Sequence, residues 1–196
     1  MTLAIVSVLL FDDFETLDAM GPVEVFGCLP QCQLRFLSRH GGEVRSSQGV
    51  MVQTDIADAA HYEALLIPGG QGTRPLSGDV DWLRWLQHLV ERSTLCMSVC
   101  TGSALLARTP LLDGLKATSN KRAFDWVTSL NDRVIWQHRA RWVQDGKFYT
   151  SSGISAGIDM ALQVVADLRG REQALDIAGR MEYLWNEEAG NDPFAR

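Results

Sequence analysis

The chain has 196 residues, 46% of them hydrophobic and 21% charged, with a formal net charge of −6 and a sequence pI near 5.2. That composition fits a folded domain with ample core and excludes disorder. Its acidic balance and scattered arginines exclude a nucleic-acid or anionic-membrane surface, both of which need concentrated Lys and Arg.

The apolar run over 3–10 lacks the basic residues of an export signal and is too short to span a membrane, so it predicts a buried first strand. The expected compartment is therefore the reducing cytoplasm, with Cys28, Cys32, Cys96 and Cys100 as free thiols. Cys28 and Cys32 are spaced too widely for a zinc knuckle and have no second ligand pair, so no metal is expected. After a loop to Met20, Gly21-Pro22 predicts a helix through about Gly27, with proline in its first turn. Residues 33–38, 50–54 and 64–67 read as strands, the last stopping at Pro68-Gly69-Gly70-Gln71-Gly72. Asp79 is placed to cap a helix whose apolar stripe is Trp82, Leu83, Leu86, Leu89 and Val90.

Residues 94–99 form another apolar strand and 103–107 a helix, so the whole bend falls on Cys100, Thr101 and Gly102. A side chain on such a bend faces the carboxyl end of the sheet, where first-turn amides and the helix dipole favour a thiolate. This makes Cys100 a candidate nucleophile rather than core filler. Beyond it, 115–118 reads as a strand and 121–130 as a helix capped by Ser119 or Asn120. Residues 133–144 and 147–151 read as a hairpin around Asp145-Gly146, with Arg133 to Arg141 on its solvated face. A helix over 154–168 stops at Gly170, and a last one is expected over 171–187. No repeat or linker appears, so 1–196 reads as one domain. Strands alternating with helices predict an α/β sandwich with a mostly parallel sheet.

In such a sheet the loops at the strands' carboxyl ends share one crevice. It would bring together Cys100, the loop bearing Asp18, and the Gly69-Gly70-Gln71 turn, whose amides, with that of Thr101, are candidate donors to a developing anion. On residues alone, Asp18 reads equally as a proton shuttle for the thiol or as a solvated loop acid or cap for the Gly21-Pro22 helix. Of the four histidines, His138 alone follows Cys100, within the predicted hairpin; Cys100, Asp113 or Asp125, and His138 fit a hydrolase order only with Ser98 where that motif has glycine. His61-Tyr62-Glu63 precedes the cysteine, the wrong order for a class I glutaminase.

Leu17-Asp18-Ala19-Met20-Gly21-Pro22, Ile67-Pro68-Gly69-Gly70, Ser98-Val99-Cys100-Thr101-Gly102, Leu112-Asp113-Gly114-Leu115-Lys116-Ala117-Thr118 and Ser152-Gly153-Ile154-Ser155-Ala156-Gly157-Ile158-Asp159 together resemble the DJ-1/PfpI superfamily, within it most the isonitrile hydratase branch. The resemblance runs from about residue 5 to 188. It implies a flavodoxin-like three-layer sandwich with a nucleophile elbow, a homodimer, a small-molecule substrate and no cofactor. It also implies Cys100 as nucleophile, Asp18 as its acid/base partner, Thr101 beside them, and backbone donors at Gly69 and Gly70. The implied reaction adds the Cys100 thiolate to an isonitrile carbon and yields an N-substituted formamide. Alternatives are a metabolite- or oxidant-sensing module, a glyoxalase/deglycase-type homologue, and a domain whose site has decayed. Thr101 stands where peptidases of the superfamily carry histidine, which counts against proteolysis. Asn120 stands where many hydratase relatives carry histidine, and an amide has no proton of useful pKa to give.

Overall fold

The computed structural model describes residues 3–58 and 60–195. In chain order the elements are β1 (Ile5–Leu9), α1 (Thr16–Gly27), β2 (Gln33–Ser38), β3 (Gly42–Arg45), β4 (Met51–Ile56), β5 (Tyr62–Ile67), α2 (Thr73–Leu76), α3 (Val80–Glu91) and β6 (Ser93–Ser98). There follow α4 (Gly102–Ala107), β7 (Lys116–Ala117), α5 (Phe124–Thr128), β8 (Ile135–Trp136), β9 (Trp142–Asp145), β10 (Phe148–Ser151), α6 (Ala156–Arg169) and α7 (Arg171–Arg180). The main sheet runs β3-β4-β2-β1-β5-β6-β10-β9. Its six inner strands are parallel and its two edge strands antiparallel, and flanking helices complete a flavodoxin-like three-layer sandwich.

β5 and β6 are nearly continuous apolar runs because a parallel strand covered on both faces has no solvent side to alternate with. Their register, Leu66 opposite Met97 and Ile67 opposite Ser98, ends both strands at one level. The Val99 amide extends the pairing by donating to the Ile67 carbonyl at 3.0 Å. The Pro68-Gly69-Gly70 turn therefore lies beside Cys100-Thr101. Asp79 caps α3 as expected, accepting from the amides of Asp81 and Trp82, and the stripe from Trp82 to Val90 is buried.

Several expectations need correction. Helix α1 starts at Thr16, not at Gly21-Pro22, so Asp18 belongs to its first turn and Pro22 lies inside it. Missing its N–H, Pro22 leaves the Asp18 carbonyl without its intrahelical donor, a loss near the start of the helix, where sequence rules put proline in the first turn. Strand β3 and helix α2 were not anticipated, being too short and too polar to show a period. α5 is shorter than 121–130. The 133–144 arm is split: β8 pairs with β7 in parallel, and only β9 joins the hairpin across Asp145-Gly146.

Arg141 is not on a solvated face. It is buried, with Nη2 2.6 Å from Asp159 Oδ2 and Nη1 3.5 Å from Asp192 Oδ2. Asp159 Oδ1 accepts from the Tyr183 hydroxyl and the Asn186 amide, and Trp185 Nε1 donates to the Asp159 carbonyl. These contacts fold residues 183–192 back onto α6, which is why α7 ends at Arg180 and not near 187. Arg141→Ala strands two buried carboxylates without their cation, and we expect a loss of about 3–5 kcal/mol in a urea unfolding experiment.

Candidate active site

Cys100 is a left-handed residue, with φ of 59°, in a position most side chains avoid. Its backbone is held from several directions. Its amide reaches the carbonyls of Ser151 and Ser152, both at 3.2 Å, at the end of β10. Its carbonyl accepts from Ser103 Oγ at 3.2 Å and Ser119 Oγ at 3.0 Å. Strain of about 1–3 kcal/mol persists only where the surroundings over-determine it, and here they present the sulfur to a cleft.

The sulfur is 5% exposed as part of its residue and meets three donors: the Asn120 Nδ2 group at 3.1 Å and the backbone amides of Thr101 and Ile154. Burial is the largest influence on the thiol and pushes its pKa up, the charge of Asp18 adds to that rise, and the three donors oppose it. The expected ready-made thiolate is thus not the resting form. Desolvation outweighs the first-turn amides, and the thiol keeps its proton until a base takes it.

Asp18 is fully buried in α1. Its Oδ2 accepts from the Gly69 amide at 2.9 Å, while Oδ1 is buried with no hydrogen-bond partner of ordinary geometry. Beyond that amide, the carboxyl's polar neighbour is the Cys100 thiol, which draws on it as a hydrogen-bonding group. Burial, opposed by the Gly69 amide, pushes Asp18 up to about 7. Two acids this close titrate as a pair, so the protonation of one sets the proton affinity of the other.

The Gly69 and Gly70 amides do not point at open space beside the sulfur. Gly69 donates to Asp18, and Gly70 donates to Thr101 Oγ1 at 3.1 Å. The Thr73 hydroxyl also reaches Thr101 Oγ1, at 3.1 Å. In place of the expected anion donors, this turn is a bracket that fixes the acid and the Thr101 side chain. Gly69 must be glycine: a Cβ there would sit 2.5 Å from the Thr101 nitrogen and 2.9 Å from Asp18 Oδ2. Gln71 lies exposed on the rim of the cleft. The cleft holds about 380 Å³, and Glu15, Arg74, Arg122 and Ile154 complete the walls around Cys100.

Asn120 is the residue the sequence undervalued. Its Oδ1 accepts from the amides of Arg122 at 2.9 Å and Ala123 at 3.0 Å, so the capping role expected of it exists, one turn ahead of α5. Those two amides fix which end of the side chain is oxygen and thereby aim the NH₂ at the sulfur. Gly153 leaves the room, since a Cβ there would collide with Asn120 Nδ2. Asn120→Ala removes a donor to the ionised sulfur, worth about 1.5–3 kcal/mol. We expect Cys100 alkylation by iodoacetamide to slow 10- to 100-fold at pH 7 and its pH profile to move to higher pH, because a donor to the charged form lowers a thiol pKa.

No histidine contacts Cys100 among the described residues. His138 stacks edge-on against Phe124, with centroids 4.7 Å apart, and Asp113 pairs with Arg133 at 2.7 Å. The hydrolase-type triad is not formed.

Residues 4–167 match the model of the DJ-1/PfpI family. An isonitrile hydratase from Pseudomonas putida is 32% identical over 177 residues, covering 89% of this chain and 76% of that enzyme. The HTH-type transcriptional regulator CdhR of Pseudomonas aeruginosa is 30% identical over 72% of this chain, but the match spans only 42% of the regulator. The crystal structure of a ThiJ/PfpI family protein from Pseudomonas syringae has a TM-score of 0.84 at 27% identity, covering 93% of this chain and 76% of that one.

Proposed function

The chain belongs to the DJ-1/PfpI family, and from its buried thiol–acid pair we propose that it is a cysteine-dependent enzyme for small electrophiles, an isonitrile hydratase-like lyase. The observation that carries this reading is the pairing of Cys100 with a fully buried Asp18 that titrates near 7, with Asn120, Thr101 and Ile154 donating to the sulfur. A permanently ionised carboxylate would only repel a thiolate. One that takes up the thiol proton loses its charge as the sulfur gains one, so the two steps assist each other.

In the proposed reaction Asp18 accepts the thiol proton, and the sulfur forms a bond to the terminal carbon of the isonitrile. The same proton then passes from Asp18 to that carbon, giving a thioimidate. Asp18, again a carboxylate, takes a proton from water as the hydroxide adds to the thioimidate carbon, and passes that proton to the nitrogen. Collapse of the tetrahedral adduct breaks the carbon–sulfur bond, releases an N-substituted formamide, and moves the adduct's hydroxyl proton by way of Asp18 to Cys100. Overall, one water is added to one isonitrile. Thr101 holds the Gly70 turn through its hydroxyl and the sulfur through its amide.

This reading places the protein as a homodimer in the cytoplasm, where reducing conditions keep Cys100 a thiol. Among the described residues no helix is long and apolar enough to cross a membrane. The match to a transcriptional regulator supports a second reading, a module that binds a metabolite beside Cys100 without turnover. Assays with p-nitrophenyl isocyanide, methylglyoxal and a peptide separate these. Formamide production supports the hydratase, glyoxal consumption alone favours a deglycase-type activity, and binding without any product favours the module.

A further inference from the structure

Two cations stand at the mouth of the cleft. Arg74 and Arg122 both line it, and neither guanidinium has a carboxylate partner among the described residues. Three other surface arginines are neutralised, Arg84 by Asp81, Arg133 by Asp113 and Arg171 by Glu187, while Arg108, Arg139 and Arg169 spend their guanidinium groups on neutral oxygens away from the cleft. Arg74 is held in place, its Cζ 3.8 Å from the centroid of the Trp126 ring, and it follows Thr73, which is bonded to Thr101 Oγ1. Arg122 is tied by its amide to Asn120, the donor to the sulfur. The backbone at each arginine is thus anchored beside a residue that also reaches the thiol or its immediate neighbour. The anionic groups facing them are Glu15, which accepts from Gln48 Nε2 at 3.1 Å, and Asp18, buried behind the sulfur.

Building on the reading of Cys100 as a nucleophile, we propose that Arg74 and Arg122 select a substrate bearing a carboxylate remote from its electrophilic carbon. An anionic tail held at the mouth points the uncharged electrophile inward, where a second anion would meet Asp18. Planar, forked guanidinium groups suit a carboxylate, and a stacked arginine gives up less freedom on binding it.

The test uses two N-alkyl iodoacetamides of similar size, one whose alkyl chain ends in a carboxylate and one whose chain ends in the corresponding primary amide. In both, the thiolate displaces iodide from carbon, and the thiol proton leaves to Asp18 and then to solvent. The rate ratio, anionic over neutral, is read at Cys100 by peptide mapping and divided by the ratio for the same cysteine in urea-unfolded protein. We expect this quotient to be about five- to tenfold above one, since two partly solvated ion pairs contribute up to about 1.4 kcal/mol together. It should fall toward one in 0.5 M NaCl and in the R74Q/R122Q double variant. A quotient at or below one in wild-type protein at low salt, or one unmoved by both salt and the substitutions, overturns the anion preference while leaving the nucleophile reading intact. Failure of both reagents to alkylate Cys100 in the folded protein overturns the nucleophile reading and the preference with it.

Discussion

Cys100→Ala is expected to lower turnover of p-nitrophenyl isocyanide by about 10⁴-fold or more while leaving the fold in place. The size of the loss follows from the chemistry, because no other side chain in the cleft is a nucleophile of comparable strength, and Asp18 has no role in addition once the sulfur is gone. The fold should tolerate the change. The left-handed turn at residue 100 is held by backbone contacts to Ser151, Ser152, Ser103 and Ser119, none of which involves the sulfur. Equal activity in wild type and variant would remove Cys100 from the mechanism.

Asp18→Asn is expected to act in opposite directions on activity and stability. Loss of the acid/base group should cost about 10²–10⁴-fold in kcat and remove any kinetic limb near pH 7. The Asn side-chain oxygen still accepts from the Gly69 amide, so the bracket survives. The carboxyl is raised from 3.8 to about 7 in the folded protein, chiefly by burial. An acid raised in this way contributes its full stability below pH 4 and loses it as pH climbs through 7, because the unfolded chain releases the proton first. The asparagine variant has no such slope. Its stability relative to wild type should therefore grow between pH 4 and 8, by an amount on the order of 4 kcal/mol, or about 10 °C in Tm for a domain of this size. Thermal unfolding at pH 4 and pH 8 measures it; a variant less stable than wild type at pH 8 would show that Asp18 is a structural anchor and not a strained functional acid.

Much of the site was legible in the sequence because its backbone follows local rules. A buried strand running into a helix with no loop leaves only one place for the bend, and Cys100 occupies it. Asp79, the Asp145-Gly146 turn and the apolar stripe of α3 were equally plain. What the pattern hid were contacts between distant segments. Asp18 looked like a loop acid because Gly21-Pro22 imitates a helix start, although α1 begins before it. The Gly69-Gly70 turn signalled available amides, but availability depends on what packs against them, and Asp18 and Thr101 do. Asn120 looked like a loss because its residue type was judged for proton transfer. Its value lies in hydrogen-bond direction, fixed by the two amides that occupy its oxygen. Arg141 looked solvated because alternation along 133–144 ignores the carboxylates that α6 and the chain end bring to it.

The claim that matters most is that Cys100 bonds to the substrate carbon. Intact mass of protein acid-quenched during turnover of p-nitrophenyl isocyanide, followed by peptide mapping, tests it most directly. The expected result is a gain equal to one whole isocyanide on the Cys100 peptide of wild type, absent in Cys100→Ala. Formamide production at full rate by wild type with no adduct at Cys100 would contradict it.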